Sequence, residues 1–254
     1  MSKEEKNTFN TDIIEGRNPI SEALKSGREI DKILVAKGER NGSIIKIISD
    51  AKKRGIVIQD VERAKLDSMS YTKNHQGVIA YVAAAEYSTV DDILLLAKSK
   101  GEQPFIIIAD EITDPHNLGS LLRTANASGA HGIIIPKRRS VGLNSVVAKT
   151  SAGAVEFTPV AKVSNIANTI DKLKKENIWV VGADMDGENT IYEQDFSGGI
   201  AIVVGSEGEG ISRIVKDKCD FLVRIPMLGE ITSLNASVAG ALMIYEVVRS
   251  RMNK

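Results

Sequence analysis

Apolar residues follow two different rhythms along this chain. Up to about residue 85, short β-rich runs alternate with helical segments. Ile44, Ile47 and Ile48 share one face of a segment over residues 43–54, with Gly55 as its stop. Asn18-Pro19 supplies a cap and a first-turn proline for a helix reaching about Lys25. Residues 32–36, 57–61 and 77–83 are predicted strands, the last entered from the polar turn Asn74-His75-Gln76. From Pro104 onward the strands become continuous apolar runs, at 105–109, 133–135, 155–160, 179–182, 200–204 and 221–225. Helical segments such as 118–128 and 164–176 lie between most of them. Strands without a polar face are buried on both sides, which predicts a mostly parallel sheet flanked by helices. Such a sheet takes its ligand at the carboxyl ends of its strands.

Between the two regions, Thr89-x-x-Asp92 opens a helix with a capping-box pattern, and Gly101 closes it. The expected organisation is a disordered tail (1–10), a small α/β domain (11–86), a linker helix (87–103) and a larger α/β domain (104–254).

Composition narrows the classes. The 254 residues carry 33 basic and 33 acidic side chains, so a nucleic-acid partner would be held by local basic clusters, not by net charge. A lone cysteine, Cys219, cannot form an internal disulfide and fits a reducing compartment. No apolar run is long enough to span a bilayer, and the first ten residues do not resemble a signal peptide; both point to the cytoplasm and to no membrane partner. The three histidines and one cysteine are too scattered for a metal site, so none is expected.

Three stretches carry candidate chemistry. Gly205-Ser-Glu-Gly-Glu-Gly210 follows a strand, but its glycine spacing is neither that of a dinucleotide fold nor that of a P-loop. Glu207 and Glu209 put negative charge where a pyrophosphate would sit. The loop is either a plain turn or a seat for a phosphate-free ligand approached by backbone; S-adenosylmethionine, with its cationic sulfonium, fits the second. In Asp114–Ala130, Asn117 is a plausible helix cap, and Arg123 falls near enough to Leu121, Leu122 and Ala125 to be partly buried. A buried arginine needs a partner, either a structural carboxylate or a substrate phosphate. In the third stretch, Ser233 and Asn235 follow a strand and turn, as helix cap or as ligand contacts. The small residues Ala236, Ala239, Gly240 and Ala241 then let another backbone approach. His116 is expected to be a loop histidine and His131 a structural one. Lys137, Arg138 and Arg139, at a strand end on the ligand side, are candidate phosphate contacts.

In this order the three stretches resemble the signature motifs of the SpoU/TrmH group of the SPOUT superfamily, RNA ribose 2′-O-methyltransferases. Glu15-Gly16-Arg17-Asn18-Pro19 and Asn74-His75-Gln76-Gly77 are similar to points of the small RNA substrate-binding domain that precedes the catalytic domain in many members. The resemblance implies a C-terminal trefoil knot, a homodimer and S-adenosylmethionine as methyl donor. It implies catalytic roles for Arg123, Asn117, Glu207, Ser233 and Asn235, and donor contacts from Gly205, Ile225 and Leu234. Arg17 and His75 would join Lys137, Arg138 and Arg139 on the RNA.

The overall pattern is similar to the RlmB-like subgroup, which modifies a guanosine of 23S rRNA. In that chemistry a ribose 2′ oxygen attacks the donor methyl in line, and alignment alone can supply roughly 7–11 kcal/mol of the barrier. With a free pKa of about 12.5–13.8, arginine is a poor base, which favours Arg123 gripping phosphate and stabilising the alkoxide; the alternative, proton transfer to a neutral Arg123, needs a strongly shifted pKa. Same-class alternatives are a transfer-RNA or a resistance-type ribosomal RNA methyltransferase. A non-catalytic RNA-binding or assembly factor and, more distantly, a nucleotide-dependent oxidoreductase are the rivals from other classes.

Overall fold

The computed structural model describes residues 12–252; the expected tail at 1–10 lies outside the described residues. The chain divides into two compact units, with Glu86 the last residue of the first and Tyr87 the first of the second.

The first unit runs β1 (Ile13–Glu15), α1 (Arg17–Lys25), β2 (Ile30–Ala36), α2 (Ser43–Lys53), β3 (Val57–Val61), α3 (Arg63–Met69) and β4 (Val78–Val82). Its sheet has the order β1-β4-β2-β3, with β2 and β3 parallel and the other neighbours antiparallel. Ile20, Ile33, Ile44, Ile47 and Val78 pack on one side of the sheet, so the isoleucine stripe of α2 is what joins helix to sheet. The short α3 has no counterpart in the sequence reading, because Leu66 is the only residue it buries and no helical stripe results. Glu15 ties the segment after α3 back to β1, accepting from Ser70 Oγ and the Tyr71 amide, each at 2.7 Å.

The second unit opens with α4 (Val90–Lys100). Thr89 and Asp92 form the full capping box, and Gly101 ends the helix in the left-handed conformation at φ 66°. The helix expected as a linker is part of this unit's core: Ile93 is fully buried among Ile106, Ile134 and Ala161. There follow β5 (Phe105–Ala109), α5 (Pro115–Ala127), β6 (Gly132–Pro136), α6 (Ser145–Thr150), a 3₁₀ turn at Ala154–Glu156, β7 (Val160–Val163), α7 (Ile166–Lys175) and β8 (Ile178–Ala183). The remainder is β9 (Asn189–Thr190), β10 (Gly199–Val204), α8 (Arg213–Lys216), β11 (Phe221–Arg224) and α9 (Ala236–Met252).

All pairings in this seven-stranded sheet, β7-β6-β5-β10-β8-β11-β9, are parallel. Residues 155–160 are not the strand expected there. Gly153, at φ 88°, leads into the 3₁₀ turn, and pairing with β6 begins only after Pro159, which has no N–H to offer a sheet. Trp179 also departs from expectation. Its apolar run places it in β8, yet it is 53 % exposed and meets Phe221 of β11 in a tilted ring contact, 5.6 Å between centroids.

Helices α4, α7 and α8 cover one face, through Ile93, Ile170, Leu173 and Val215. On the other, α9 lies so close to α5 and β10 that a Cβ on Gly240 would fall 2.5 Å from Leu121 Cδ2 and 3.2 Å from Val204 Cγ2. What comes close at Gly240 is the side chains of Leu121 and Val204, where another backbone was expected, and this packing fixes the helix that follows the third motif. Cys219 is half-buried between α8 and β11; burial pushes its thiol up to about 12, which suits a packing role.

Candidate active site

Three loops leave the carboxyl ends of β5, β10 and β11: residues 110–114, 205–212 and 225–235. The first is pinned to the second. The Asp110 amide donates to Val204 O at 2.9 Å, and its buried carboxylate accepts from the Ser212 amide at 2.8 Å. Sequence reasoning passed over Asp110. Its signal is position, an acidic residue placed immediately after the all-apolar β5.

The second loop closes on itself through two 3.0 Å backbone bonds between Ser206 and Gly210. A Cβ on Gly205 would fall onto the backbone of Gly210 and Ile211, so glycine there is required by the loop's own closure. Space is open beside Gly208, Gly210 and Gly229. The third loop is exposed from Pro226 to Asn235, with Leu228 at 99 % exposure.

Side chains from the three motifs meet at one point. Asn117 is buried, and its Nδ2 donates to Glu207 Oε1 at 2.9 Å. Asn235 Nδ2 donates to Asn117 Oδ1 at 2.9 Å and also bonds Glu207 Oε1. An ionised carboxylate only accepts, so Glu207 dictates which way both amides face. The free Asn235 Oδ1 then accepts from the Ser237 amide at 3.0 Å and the Val238 amide at 3.3 Å, capping α9. The cap suggested for Asn235 is therefore present, and the same side chain joins Asn117 and Glu207.

Asn117 is not a cap. Asp114 caps α5, accepting from the His116 amide at 3.0 Å, with Pro115 in the first turn. That moves Asn117 inside the first turn, where its amide is free to cross to Glu207. His116 lies on the same turn and is exposed; its Nδ1 is 3.4 Å from Thr150 Oγ1.

Arg123 was expected to be partly buried against a partner, and this is corrected. It is exposed and makes no hydrogen bond or ion pair with any described residue. Six helical positions from Asn117 are about 9 Å along the axis and about 120° around it, so the two occupy different faces of α5. Ser233 and Leu234 are exposed, and Ile225 is half-buried at the start of the third loop.

Lys137 is half-buried and Arg138 exposed, and neither side chain bonds to a described residue. Arg139 is exposed and pairs with Glu111 at 3.2 Å; both hold left-handed backbone at φ 56°. In the first unit, Arg17 Nε donates to Gln76 O at 3.0 Å. His75 is corrected outright. It is 2 % exposed, with Nε2 at 2.8 Å from Asp67 and Nδ1 accepting from the Gly77 amide at 3.0 Å. Both ring nitrogens are used in holding its turn, which leaves none for RNA.

The sequence of residues 104–245 matches the model of the SpoU rRNA Methylase family. The chain belongs to that family. Residues 13–88 match a second model, described as RNA 2'-O ribose methyltransferase substrate binding. Membership makes the protein an RNA methyltransferase with S-adenosylmethionine as methyl donor.

The methyltransferase is 52% identical over 240 residues to YacO of Bacillus subtilis (strain 168), which is named as a TrmH family tRNA/rRNA methyltransferase; the match covers 94% of this chain and 96% of that one. It is similar in structure to the SpoU methyltransferase AviRb from Streptomyces viridochromogenes, solved in complex with AdoMet, with a TM-score of 0.61, 25% identity and coverage of 95% and 91%. A solved RNA 2'-O ribose methyltransferase gives a TM-score of 0.54 at 29% identity, with coverage of 94% and 88%.

The three loops fit such a donor. They present acid and open glycine backbone instead of the basic, amide-lined cradle a pyrophosphate needs, and the apolar Ile225 and Leu234 stand at either end of the third loop. Of the basic residues beside the second loop, Lys216 is held by Asp184 and Asp186, each at 2.8 Å.

Proposed function

We propose that this methyltransferase acts on the ribose 2′-hydroxyl of a guanosine in 23S rRNA, as a cytoplasmic homodimer. The observation that carries the reading is the Asn117–Glu207–Asn235 junction, which ties together loops from three strand ends in a setting that suits a phosphate-free donor. When bound, S-adenosylmethionine supplies an electrophilic methyl group. Gly205, Ile225 and Leu234 would hold it by backbone and apolar contact, and Ser233 would add a hydroxyl from the exposed third loop.

Arg123 is the residue for the substrate. Its unpaired guanidinium can grip a backbone phosphate through two N–H groups and stabilise charge developing on the 2′ oxygen. Lys137, Arg138 and Arg139 would take flanking phosphates, with Arg139 exchanging Glu111 for RNA. Arg17 would contact RNA from the substrate-binding unit.

The dimer is supported by α9. Val238, Leu242 and Tyr245 recur at helical spacing and are all exposed, an apolar stripe that a second copy can cover. The knotted path implied by the family likeness belongs to the same reading. It is supported by the return of the chain after β11, through the exposed third loop, to pack α9 against α5 and β10.

The test is transfer of labelled methyl from S-adenosylmethionine to protein-free 23S rRNA and to transfer RNA, followed by alkaline hydrolysis. A 2′-O-methyl group blocks cleavage at its own linkage, so a single alkali-resistant step after a guanosine of 23S rRNA is expected. Label confined to transfer RNA overturns the substrate, and labelled RNA with an unbroken alkaline ladder overturns the ribose. A chain that binds donor yet labels neither RNA is a binding factor.

A further inference from the structure

The first unit contains an open hollow of about 590 Å³ lined by Arg17, Asn18, Glu39, Ser43, Arg63 and Gln76. That falls within the roughly 300–1,000 Å³ of small-ligand clefts. Its electrostatics are unusual for a solvated surface. One carboxylate, Glu39, lies between two guanidiniums: Oε2 is 3.4 Å from Arg17 Nη2, and Oε1 bonds Arg63 Nη1. Other charges nearby are already paired one to one, Lys37 with Glu62 at 2.5 Å and Arg40 with Asp60 at 2.7 Å. The hollow alone has two cations to one anion.

The seat of the carboxylate is built by backbone. A Cβ on Gly77 would coincide with the Glu39 carboxylate, so the missing side chain at 77 is what admits it. Gln76 holds a left-handed φ of 53°, a costly conformation for a long side chain. In it, the Gln76 side chain accepts from the Arg17 amide at 3.0 Å and its carbonyl from Arg17 Nε at 3.0 Å. Arg17 is therefore held in place whether or not Glu39 is present. The first turn of α2, beginning at Ser43, has no side-chain cap and adds the positive end of an 11-residue helix to the same hollow. Glu39 itself is 23 % exposed, so water reaches the edge of its carboxylate.

We propose that this hollow is a binding site for one RNA backbone phosphate, and that Glu39 is its built-in competitor. A phosphodiester carries the same single charge as the carboxylate but more acceptor oxygens. It can span Arg17 and Arg63 while Asn18 and Gln76 offer amides to the adjoining nucleotide. Glu39 bridges the two arginines and offsets part of their charge until RNA arrives, which lowers affinity for stray anions and sharpens dependence on a polymer that brings other contacts too. The identity of the ligand as RNA rests on the function proposed above; the competition between carboxylate and phosphate does not.

The experiment is filter binding of labelled, protein-free 23S rRNA to the full chain and to Glu39→Gln, Arg63→Gln and the double variant, across a series of KCl concentrations. Glu39→Gln is expected to tighten binding by about two- to fivefold, the scale of a partly exposed ion pair. Arg63→Gln should weaken binding and reduce the slope of log affinity against log salt by about 0.7–0.9, one phosphate contact. In the double variant the gain from Glu39→Gln should shrink to the part that Arg17 alone supplies. Unchanged or weaker binding by a folded Glu39→Gln protein overturns the proposal, as does a gain that Arg63→Gln leaves undiminished.

Inorganic phosphate serves as the second probe. Were it to bind tightly at Arg63 while RNA affinity ignored that residue, a free anion would be the ligand and the RNA assignment would fail. Calorimetry of S-adenosylmethionine on the same variants separates the two levels. Intact donor binding and RNA methylation with no effect of Glu39→Gln would sink this site alone; loss of methyl transfer by wild-type protein would sink the function.

Discussion

Asn235 Nδ2 donates to Asn117 Oδ1 across 2.9 Å, joining residues 118 positions apart. Both amides also give a hydrogen to Glu207, so three motifs depend on one carboxylate oxygen for their mutual arrangement.

Glu207→Gln tests that dependence. The new amide would present either an N–H to two N–H donors or a carbonyl whose second position lacks charge. Donor affinity and turnover are expected to fall together. A double-mutant cycle between Asn117→Ala and Asn235→Ala should give a coupling of about 0.5–3 kcal/mol in donor binding. Additive effects would mean that the junction is not a unit.

Arg123→Ala makes the opposite prediction about stability. The side chain is exposed and unpaired, so Tm should stay within about 2 °C, as for surface positions worth less than about 0.5 kcal/mol. Turnover should fall by about 10²–10³-fold if the guanidinium stabilises developing charge, with Arg123→Lys recovering little of it. An Arg123→Ala enzyme of near-normal turnover would remove the residue from the reaction.

Gly205→Ala should cost stability before chemistry. Its Cβ meets backbone, not a side chain that can swing away, so relief requires moving the loop. Overpacking of this kind costs about 1–3 kcal/mol, and roughly 2–4 °C of Tm accompanies each kcal/mol in a unit of this size. Donor affinity measured by calorimetry should drop as well, because the moved loop carries Glu207.

His131 gives the second unit a pH dependence. It is fully buried; its Nδ1 accepts from the Phe105 amide at 3.0 Å, and Nε2 faces Glu102 at 3.0 Å. Burial pushes its pKa below 6.5, against the opposing pull of Glu102, with Lys100 and Arg251 adding to the depression. The folded state therefore binds fewer protons than the unfolded one below pH 6.5. Stability is complete above that value and declines as pH falls through the lowered folded pKa. Tm measured from pH 8 to pH 5 should show this decline, and His131→Gln should flatten it. An unchanged slope in the variant would place the acid sensitivity elsewhere.

The apolar runs at β5, β6 and β10 made the parallel sheet legible, because burial on both faces removes polar residues from a strand. The motifs were legible for a related reason: loops at strand ends must combine glycine, acid and cap residues that a core excludes. Burial of individual side chains was not. Arg123 and Trp179 both sit in apolar sequence and both point outward, since a run of neighbours fixes the strand or helix but not which of its faces is covered. His75 misled in the other direction. A polar turn suggested exposure, whereas both its ring nitrogens are used inside the turn. Glu39 and Arg63, far apart in sequence and unremarkable there, become neighbours only once β2 and α3 are placed.

The position of β10 between β5 and β8 has a consequence for how the protein is made. When β5, β6 and β7 have left the ribosome, β5 still exposes an unpaired edge, and its central neighbour lies some ninety residues downstream. Both acidic-loop and cap residues of the junction come later still. A nascent chain ending before Asn235 can join Asn117 to Glu207 but cannot close the junction, so the three loops are locked together only after the third has been made.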